Sequence, residues 1–542
     1  MADNTLYFGN NLDILRRYIG DQTVDLIYLD PPFNSKATYN VLFAEQNGSR
    51  AAAQIKAFDD TWRWDQAAAE AYQEVVEQGG KVSQAMQAFR TLLGDNDMLA
   101  YLATMAPRLV ELRRVLKPTG SVYLHCDPTA SHYLKLLMDA VFGSAGFRNE
   151  IIWERTVSHN IRTKGYIRAN DTILYYSKTT QFVFNDQYTE YGPEQMRRYK
   201  PDETGRLYKA ENLTFSSPNP HRQFEWRGAK PPPNRSWGAS LEQLEEWYAQ
   251  GLILLKKDGM PRLDRLKVYL DETKGKPVCT NWTDIPRIGN TSAERLGYPT
   301  QKPEALLDRI IKASSNEGDV VLDPFCGCGT TIAVAERLKR HWIGIDITHL
   351  AITLMKHRLR DAFGDHVEYR VVGEPVSLPD AETLAAEDPY QFQFWALGLV
   401  GARPAEQKKG ADRGIDGRLY FHEGDGGKTK QVILSVKAGH TNVAHVRDLR
   451  GVVEREQAEI GVLITMQEPT QPMRSEAAGA GFYHSSVWNK DYPKLQILTV
   501  EELLKGRGID MPPLRQVNVT FKQPPRAETR ARRPSNNDLP LT

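Results

Sequence analysis

The residues best suited to chemistry follow the short apolar segment VDLIYL, at Asp30-Pro31-Pro32-Phe33. Such a segment predicts a buried strand, and strands of open α/β sheets carry ligand-binding groups at their carboxyl ends. Asp30 and the carbonyl oxygen of Pro31 could each accept a hydrogen bond from one exocyclic amino group, while Phe33 could stack on a flat base. Two acceptors on one NH2 group raise its nucleophilicity without a metal. The alternative is that the prolines only end the strand.

A second stretch, DPFCGCGTT at 323–331, places Gly327 and Gly329 where a predicted strand turns into a helix. Glycines there let the backbone approach a ligand closely. Asp346 ends the next predicted strand, where it can accept hydrogen bonds from ribose hydroxyls. The combination indicates an adenosine cofactor. The stretch lacks a Gly-Lys-Ser/Thr sequence and is shorter than Gly-x-Gly-x-x-Gly, which disfavours ATP and NAD. Cys326 and Cys328 would supply only two metal ligands, so they are predicted to be small loop residues.

The elements that must position these motifs form two predicted βαβ units. Segments 24–30 and 121–127 are β-rich apolar runs, and the helical spacing between them stops at Lys117-Pro118-Thr119-Gly120. The second unit is a strand, a helix and a strand at 319–325, 332–340 and 341–347. The order predicts an α/β fold with a Rossmann-like sheet.

Composition limits the class of protein. A chain of 542 residues predicts two or three domains. No apolar run reaches the ~18 residues of a membrane span, and the first residues lack a signal-peptide pattern, so a cytoplasmic protein without a membrane partner is expected. Four cysteines are too few and too irregularly spaced for a disulfide framework. A net charge of +1 means that any nucleic-acid surface must be local.

Together the motifs resemble those of the amino-group DNA methyltransferases that use S-adenosylmethionine. The catalytic motif of that family is Asp/Ser-Pro-Pro-aromatic, and its cofactor motif is Phe-x-Gly-x-Gly, here starting at Phe325. The catalytic motif comes first in this chain, then a target-recognition region, then TQKP and the cofactor loop, an order similar to the permuted β class. YPTQKPEALLDRII at 298–311 matches the segment that precedes the cofactor loop in that class.

The resemblance implies direct methyl transfer from S-adenosylmethionine to an exocyclic nitrogen of a flipped-out base in double-stranded DNA. It assigns catalysis to Asp30, Pro31, Pro32 and Phe33. It assigns cofactor binding to Asn10 near the adenine, Thr300 and Lys302 at the methionine end, and Asp323, Phe325, Gly327, Gly329 and Asp346. Asp in the first motif position favours adenine N6. The alternatives are cytosine N4 and a DNA-binding regulator that has lost catalysis.

Residues 180–297 are predicted to be the inserted target-recognition region. The segment interleaves cations with aromatic rings such as Trp226 and Trp237, a composition that suits phosphate contacts and base stacking. A solvated charged surface is the alternative for any single residue. The candidate DNA-binding residues are Arg197, Arg198, Lys200, Arg222, Arg227 and Arg235.

A third segment, GADRGIDGRLYFHEGDGGKTKQVILSVKAG at 410–439, resembles the core of PD-(D/E)xK nucleases, especially the Mrr-like restriction group. In that group acidic residues hold Mg2+ and a lysine helps to activate water. Asp416 and Lys437 match the pattern, Ser435 stands where a carboxylate or amide is expected, and Glu406 could add a metal ligand. An active nuclease, an inactive DNA-binding remnant and an unrelated α/β module remain open.

These assignments give a predicted domain order. A methyltransferase domain covers residues 1–372, a linker 373–388, a nuclease-like α/β domain 389–505, and a basic, disordered tail 506–542. A methylating half and a cutting half in one chain would suit a restriction-modification or phage-defence protein. The resemblance further implies that the chain could form a homodimer or bind other restriction or defence subunits.

Overall fold

The computed structural model describes residues 4–32, 64–156, 166–289, 292–296, 298, 300–405, 414–422 and 429–513. The chain divides into two compact units, one of residues 1–185 and 280–542 and a smaller one of residues 186–279. No helix within the described ranges has both the length and the apolar character that a membrane crossing requires.

The first part of the larger unit alternates strands with helices. Its strands are β1 (Thr5–Phe8), β2 (Val24–Leu29), β3 (Leu116–Cys126), β4 (Phe147–Glu154) and β5 (Asn170–Ser177). Its helices are α1 (Asn11–Tyr18), α2 (Gln66–Glu77), α3 (Gly80–Leu93), α4 (Asp97–Val115) and α5 (Ser131–Phe142). Helix α4 begins at the Asn96 cap and ends at Val115. The proline and glycine at 118 and 120, predicted to stop this helix, lie inside β3 instead.

The smaller unit is built from short strands around two helices. The strands are β6 (Tyr188–Thr189), β7 (Lys200–Pro201), β8 (Leu207–Glu211), β9 (Thr214–Phe215), β10 (Ser236–Trp237), β11 (Ile253–Leu255), β12 (Pro261–Tyr269) and β13 (Lys276–Pro277), and the helices are α6 (Pro193–Met196) and α7 (Leu241–Ala249). Its buried cluster includes Leu213, Trp226, Trp237 and Leu244. The unit therefore has an apolar core of its own.

The chain then returns to the large sheet. This part contains β14 (Asn281–Trp282), α8 (Glu304–Ser314), β15 (Val320–Asp323), α9 (Thr330–Arg337), β16 (His341–Asp346), α10 (His349–Phe363) and β17 (Arg370–Val372). Helix α9 starts two residues before the predicted helix and ends three residues before its predicted end.

In the described part of the chain, the large sheet has the strand order β14-β4-β5-β3-β2-β15-β16-β1-β17. All neighbours from β3 to β17 are parallel, while β5 is antiparallel to both β3 and β4. Leu26 and Ile27 of β2 pair with Val321 and Leu322 of β15, so strands almost 300 residues apart in the chain lie side by side. The predicted Rossmann-like α/β fold is confirmed, and this pairing brings the two motifs together.

The C-terminal part of the larger unit contains a second α/β layer. Its elements are α11 (Leu378–Glu387), α12 (Pro389–Leu399), β18 (Arg403–Pro404), β19 (Gly417–Phe421), β20 (Lys430–Lys437), α13 (Val443–Arg455), β21 (Ile460–Thr465), α14 (Gln471–Ala478), β22 (Phe482–Ser485), β23 (Lys490–Pro493), β24 (Leu495–Thr499) and α15 (Val500–Leu504). The sheet order is β18-β19-β20-β21-β24, with β20, β21 and β24 parallel.

The segment 373–388, predicted to be a linker, contains a helix. Ser377 and Asp380 form a capping box at the start of α11, and Ala381 is buried in the C-terminal core. Acidic composition alone does not reveal such a cap, since the same residues suit a solvated loop. The domain boundaries stay predictions, and residues 514–542 of the proposed tail lie outside the described residues.

Helices α10 and α12 pack closely where the C-terminal layer meets the large sheet. A Cβ atom added to Gly398 of α12 would lie 2.5 Å from Oγ1 of Thr353, a buried residue of α10. The side-chain oxygen of Gln391 also accepts a hydrogen bond from the backbone nitrogen of His349, at 3.1 Å. The C-terminal layer therefore contacts the helix that follows Asp346.

We expect Gly398→Ala to destabilise the protein by about 1–3 kcal/mol, because the added methyl group overpacks this junction. The matched control is Gly451→Ala in α13, where an added Cβ meets nothing within 4 Å and alanine improves helix propensity. Thermal unfolding should show a lower Tm for the first variant and an equal or higher Tm for the second. Equal Tm values for both variants would contradict the close packing.

Candidate active site

A cavity of about 880 Å³ lies at the carboxyl ends of β2, β15 and β16. Asp30 follows β2, while Asp323 and Asp346 are the last residues of β15 and β16. Because these strands are neighbours and parallel, their three carboxylates stand in a row along one edge of the sheet. All three line the cavity. The structure therefore brings the two principal sequence motifs together at this cavity.

The cofactor loop has the backbone shape that its glycines permit. Gly327 and Gly329 have φ values of +49° and +73°, in the region that favours glycine. A Cβ atom on Gly327 would lie 3.1 Å from the ring of Tyr298, and one on Gly329 would lie 2.5 Å from Met355. Helix α9 begins directly after Gly329. The glycines therefore let the chain turn tightly from β15 into α9 at the wall of the cavity.

The loop cysteines are buried packing residues. Cys326 donates from its thiol to the carbonyl oxygen of Ile345 at 3.1 Å, and Cys328 lies beside the Thr330 hydroxyl. The described residues contain no cluster of three metal-capable His, Cys, Asp or Glu side chains. This geometry agrees with the prediction that both are small loop residues.

Asp323 and Asp346 are held by short hydrogen bonds. Asp323 accepts from the Thr331 hydroxyl at 2.5 Å and from the Phe325 nitrogen at 3.0 Å. Asp346 accepts from the Gly327 nitrogen at 2.9 Å and from both the nitrogen and the hydroxyl of Thr348. Burial raises the pKa of Asp323 to about 7 and that of Asp346 to about 6. A ligand that carries positive charge would stabilise their ionised forms.

Asp30 contacts a lysine from the TQKP segment. Nζ of Lys302 donates to Oδ2 of Asp30, and both side chains are largely buried. Pro31, Pro32 and Thr300 also line the cavity. The sequence placed Lys302 at the methionine end of a cofactor, a role that stays a prediction, whereas the structure places its ammonium group against the carboxylate of Asp30. Phe33 lies outside the described residues.

Asn10 lies at the cavity wall, where its side chain has two partners. Its Oδ1 caps α1 by accepting from the Leu12 nitrogen at 3.0 Å and also accepts from Arg108 at 3.2 Å. Arg108 further donates to Asn11 at 2.7 Å. Contact of Asn10 with an adenine ring stays a prediction.

Arg358 of α10 is a supporting residue that the sequence did not reveal. Its buried guanidinium donates to the carbonyl oxygen of Cys328 at 3.2 Å, to Thr330 at 3.1 Å and to Glu304 at 3.1 Å. It therefore fixes the end of the cofactor loop. No local sequence pattern around residue 358 predicts these contacts, because its partners are distant in the sequence.

The cavity suits S-adenosylmethionine in size and charge. Its volume of about 880 Å³ accommodates a nucleoside-sized ligand, and the row of carboxylates matches a ligand with sulfonium and ammonium charges. Asp346 ends the strand next to the loop, where acidic residues bind ribose hydroxyls. The residues present therefore fit this cofactor.

The candidate DNA-binding residues of the smaller unit divide into two groups. Arg222 donates to the Gly238 carbonyl oxygen, Arg227 pairs with Glu245 at 2.7 Å, and Arg235 donates to Thr214. Arg197, Arg198 and Lys200 form the second group and are exposed, as is Arg227 of the first group. DNA contact by either group stays a prediction.

The prediction that bases stack on Trp226 and Trp237 is wrong. Their rings are 3% and 0% exposed because they form the core of the small unit, packed edge to face. Aromatic composition alone could not separate a core ring from a surface one.

The nuclease-like residues of the C-terminal layer do not fit Mg2+. Oδ2 of Asp416 accepts from the Val436 nitrogen at 2.7 Å and from the Ser435 hydroxyl at 3.0 Å. Lys437 Nζ lies 3.6 Å from the same oxygen, and Gln393 donates to Oδ1 at 3.2 Å. Hydrogen-bond donors thus surround the carboxylate on which a metal would depend. Glu406 lies outside the described residues.

The fold and the cavity define an α/β protein with a candidate cofactor site at the carboxyl edge of its sheet. Residues 24–357 match the family described as DNA methylase, N6_N4_Mtase. The chain belongs to this N6/N4 DNA methylase family. The predicted amino-group DNA methyltransferase that uses S-adenosylmethionine is therefore confirmed at the level of the family, while the β class stays a prediction.

Individual relatives include a type II methyltransferase and a subunit of a type III restriction-modification enzyme. The type II methyltransferase M.EcaI of Enterobacter cloacae is 29% identical over 373 residues, which cover 68% of this chain and 72% of that protein. The Mod subunit of the type III restriction-modification enzyme StyLTI of Salmonella typhimurium is 26% identical and matches 61% of this chain, but only 49% of the subunit. The solved structure of TTHA0409 from Thermus thermophilus is 16% identical, with a TM-score of 0.32, over 68% of this chain and 100% of that chain.

Residues 390–505 match a second family, described as NACHT-associated inactive restriction endonuclease 1. The C-terminal region is therefore similar to restriction-endonuclease-like domains of an inactive type. The likeness to restriction endonucleases is confirmed, but the predicted Mg2+ site is not supported, and the Mrr-like subgroup stays a prediction.

Proposed function

We propose that the chain is a site-specific adenine-N6 DNA methyltransferase of the permuted β class, acting in a restriction-modification or defence system. The observation that carries the proposal is the row of Asp30, Asp323 and Asp346 at one edge of the sheet, within one cavity. Asp30 belongs to the Asp-Pro-Pro motif, and the other two flank the glycine loop.

The cofactor end of the cavity would bind S-adenosylmethionine, which supplies a methyl group on a cationic sulfonium. The tight turn at Gly327 and Gly329 lets the cofactor lie close to the start of α9, and Asp346 accepts from the ribose hydroxyls. Asp323 contributes negative charge beside the loop. Asn10 and Phe325 close the adenine side, and Thr300 lies on the side of Lys302.

Asp30 and the carbonyl oxygen of Pro31 would orient the target amino group. Each would accept one hydrogen bond from an N–H of that group. The nitrogen lone pair would then point at the methyl carbon, in line with the bond between that carbon and sulfur. The cavity volume of about 880 Å³ lies at the upper end of ordinary ligand pockets, about 300–1,000 Å³, and leaves room for a base beside the cofactor. A base can reach this depth only after it is flipped out of the duplex.

The smaller unit would recognise the DNA sequence. Its exposed cations Arg197, Arg198 and Lys200 are suited to phosphate contacts. The unit has an independent core and lies, in the chain, between the catalytic and cofactor motifs. A loss of affinity on replacing these three residues, without loss of cofactor binding, would support this role.

The experiment that tests the proposal uses labelled cofactor and unmodified plasmid DNA. Nucleoside mass spectrometry after incubation with isotopically labelled S-adenosylmethionine should place the label in N6-methyladenine. Label in N4-methylcytosine would keep the mechanism and change the base. Absence of label on several plasmids, with the cofactor still bound, would favour a non-catalytic DNA-binding protein and overturn the proposal.

We further propose that the C-terminal domain does not cleave DNA. Asp416 is already bonded to Ser435, Val436 and Gln393, and Ser435 replaces the second metal-binding side chain. A serine hydroxyl is a far weaker ligand for Mg2+ than a carboxylate. A role in DNA binding or in supporting α10 would keep the fold while dispensing with the metal.

Plasmid DNA incubated with the protein and Mg2+ should therefore remain supercoiled, and Lys437→Ala should make no difference. Agarose gel electrophoresis measures this directly, with a Mg2+-free reaction as the control. Cleavage that requires Mg2+ and disappears in Lys437→Ala would restore the nuclease prediction.

A further inference from the structure

A buried polar chain runs beneath the catalytic motif from β2 to β5. The Tyr28 hydroxyl lies 2.8 Å from Nδ1 of His125, and Nε2 of His125 lies 3.3 Å from Oδ2 of Asp171. All three residues are at most 2% exposed. Because the ionised carboxylate can only accept, His125 donates to it from Nε2, and Nδ1 shares a hydrogen with the Tyr28 hydroxyl. The methyl-transfer chemistry described above uses none of these groups.

The chain ends at an arginine that faces the cavity. Nε of Arg155 lies 3.4 Å from Oδ1 of Asp171, a buried oxygen that has no hydrogen-bond partner among the described residues. The Arg155 side chain is 48% exposed, and both residues line the cavity. Burial by itself raises the pKa of Asp171. The hydrogen bond from His125 and the charges of Arg155 and Lys302 have the larger, opposite effect, so the pKa of Asp171 lies below its usual range. Asp171 is therefore a fixed negative charge that orients the guanidinium.

The sheet order places Arg155 at the end of the cavity away from the cofactor loop. From β16 and β15, which carry Asp346 and Asp323, the sheet continues through β2 with Asp30 to β3, β5 and β4. Asp171 lies at the start of β5 and Arg155 directly follows β4. Since β5 is antiparallel to β3 and to β4, these residues reach the same edge of the sheet as Asp30.

Resting on the proposed function, we propose that Arg155, oriented by the Tyr28–His125–Asp171 chain, binds a backbone phosphate next to the flipped target nucleotide. Flipping turns the base into the cavity while its phosphates stay at the mouth. A half-exposed guanidinium at that mouth offers the paired donors that phosphate oxygens accept. Arg155 is a binding residue in this arrangement, and Asp171 and His125 are positioning residues.

The test combines a replacement of Arg155 in the protein with a DNA duplex in which one phosphate is made neutral. After sequencing of methylated plasmid has given the recognition site, duplexes carry a methylphosphonate in place of the phosphate on either side of the target nucleotide. We expect one of these replacements to raise the KM for DNA about tenfold with the wild-type protein, a loss typical of one charge-assisted contact. Arg155→Gln should show a similar rise on ordinary DNA and little further rise on the neutral duplex.

The control is Arg17→Gln, since Arg17 is exposed on α1 and does not line the cavity. This variant should respond to the methylphosphonate as the wild type does. Equal sensitivity of Arg155→Gln and the wild type would overturn the phosphate contact while leaving methylation, and thus the proposed function, intact. A wild-type protein that methylates no DNA would instead remove the proposed function and this inference with it.

The positioning role is tested with Asp171→Asn, which keeps the shape and removes the charge. It should raise the KM for DNA about as much as Arg155→Gln, with kcat nearly unchanged, and the double variant should lose no more than either single variant. Fully additive losses would overturn the positioning role. A thermal melt shows whether Asp171→Asn folds. If it does not fold, the phosphate contact is still tested by Arg155→Gln, because the Arg155 side chain is half-exposed.

Discussion

Asp30→Ala should abolish methyl transfer while leaving S-adenosylmethionine binding intact. The carboxylate lies at the tip of β2 in the cavity, and its loss removes one of the two acceptors proposed to hold the target amino group. Loss of a positioned acid, base or polar partner reduces rates by about 10² to 10⁴-fold. Asp30 stands on the strand beside the cofactor loop, outside the loop itself, so the cofactor keeps its contacts.

The measurement is the single-turnover rate of label transfer, with calorimetry for cofactor binding. Glu317→Gln is the matched control, since Glu317 is exposed and does not line the cavity. The control should transfer label at the wild-type rate. Full activity in Asp30→Ala would refute the role of the Asp-Pro-Pro motif, whereas loss of both activity and cofactor binding would point to misfolding of the β2 edge.

Lys302→Ala separates two roles for the lysine that contacts Asp30. A residue that only binds the methionine end of the cofactor would weaken cofactor affinity and leave kcat near the wild-type value. A residue that also holds the Asp30 carboxylate in place would lower kcat at saturating cofactor. The contact between Nζ and Oδ2 supports the second result.

The sequence could predict the three carboxylates because each one ends an apolar strand. Asp30, Asp323 and Asp346 follow directly after buried runs, so their common edge follows once the strands are parallel. The sequence also predicted the glycine loop, because positive φ values such as those of Gly327 and Gly329 favour glycine. Local sequence therefore predicted the residues that gather at this end of the cavity.

The opposite end of the cavity could not be predicted in this way. Asp171 and Arg155 reach it because β5 pairs antiparallel with both β3 and β4, and no short pattern encodes that pairing. Arg358 likewise reaches the loop from α10 across 28 residues of sequence to Thr330. Such residues act through contacts that exist only after folding.

The affinity for S-adenosylmethionine should rise with pH up to about pH 7. In the free protein, burial raises the pKa of Asp323 to about 7 and that of Asp346 to about 6, so both carboxyl groups bind protons in mildly acidic solution. A cationic ligand whose ribose also donates to Asp346 favours the ionised forms, so binding releases protons. Each released proton makes the affinity rise about tenfold per pH unit below the pKa.

Calorimetry between pH 5 and pH 8 in buffers of different ionisation enthalpy, a range of about 1 to 2 units on either side of these pKa values, measures both the affinity and the proton release. Asp323→Asn should remove the rise closest to pH 7 and leave the part due to Asp346, while Glu317→Gln should keep the wild-type profile. S-adenosylhomocysteine, which lacks the sulfonium charge, should show a shallower rise. A flat profile for the wild type would mean that these carboxyl groups do not face the cofactor.

The same pKa shifts act on the stability of the free protein in the opposite direction. Asp323 has a folded pKa of about 7 against 3.8 for the ordinary group, so the folded protein binds the proton more tightly than the unfolded chain. This contribution is complete below about pH 4 and is lost as the pH rises through about 7. The cationic cofactor instead stabilises the ionised carboxylate. The increase in Tm on adding S-adenosylmethionine should therefore be larger at pH 7.5 than at pH 5.5, because the affinity is about tenfold higher for each proton released. An increase of equal size at both pH values would show that binding is not coupled to these carboxyl groups.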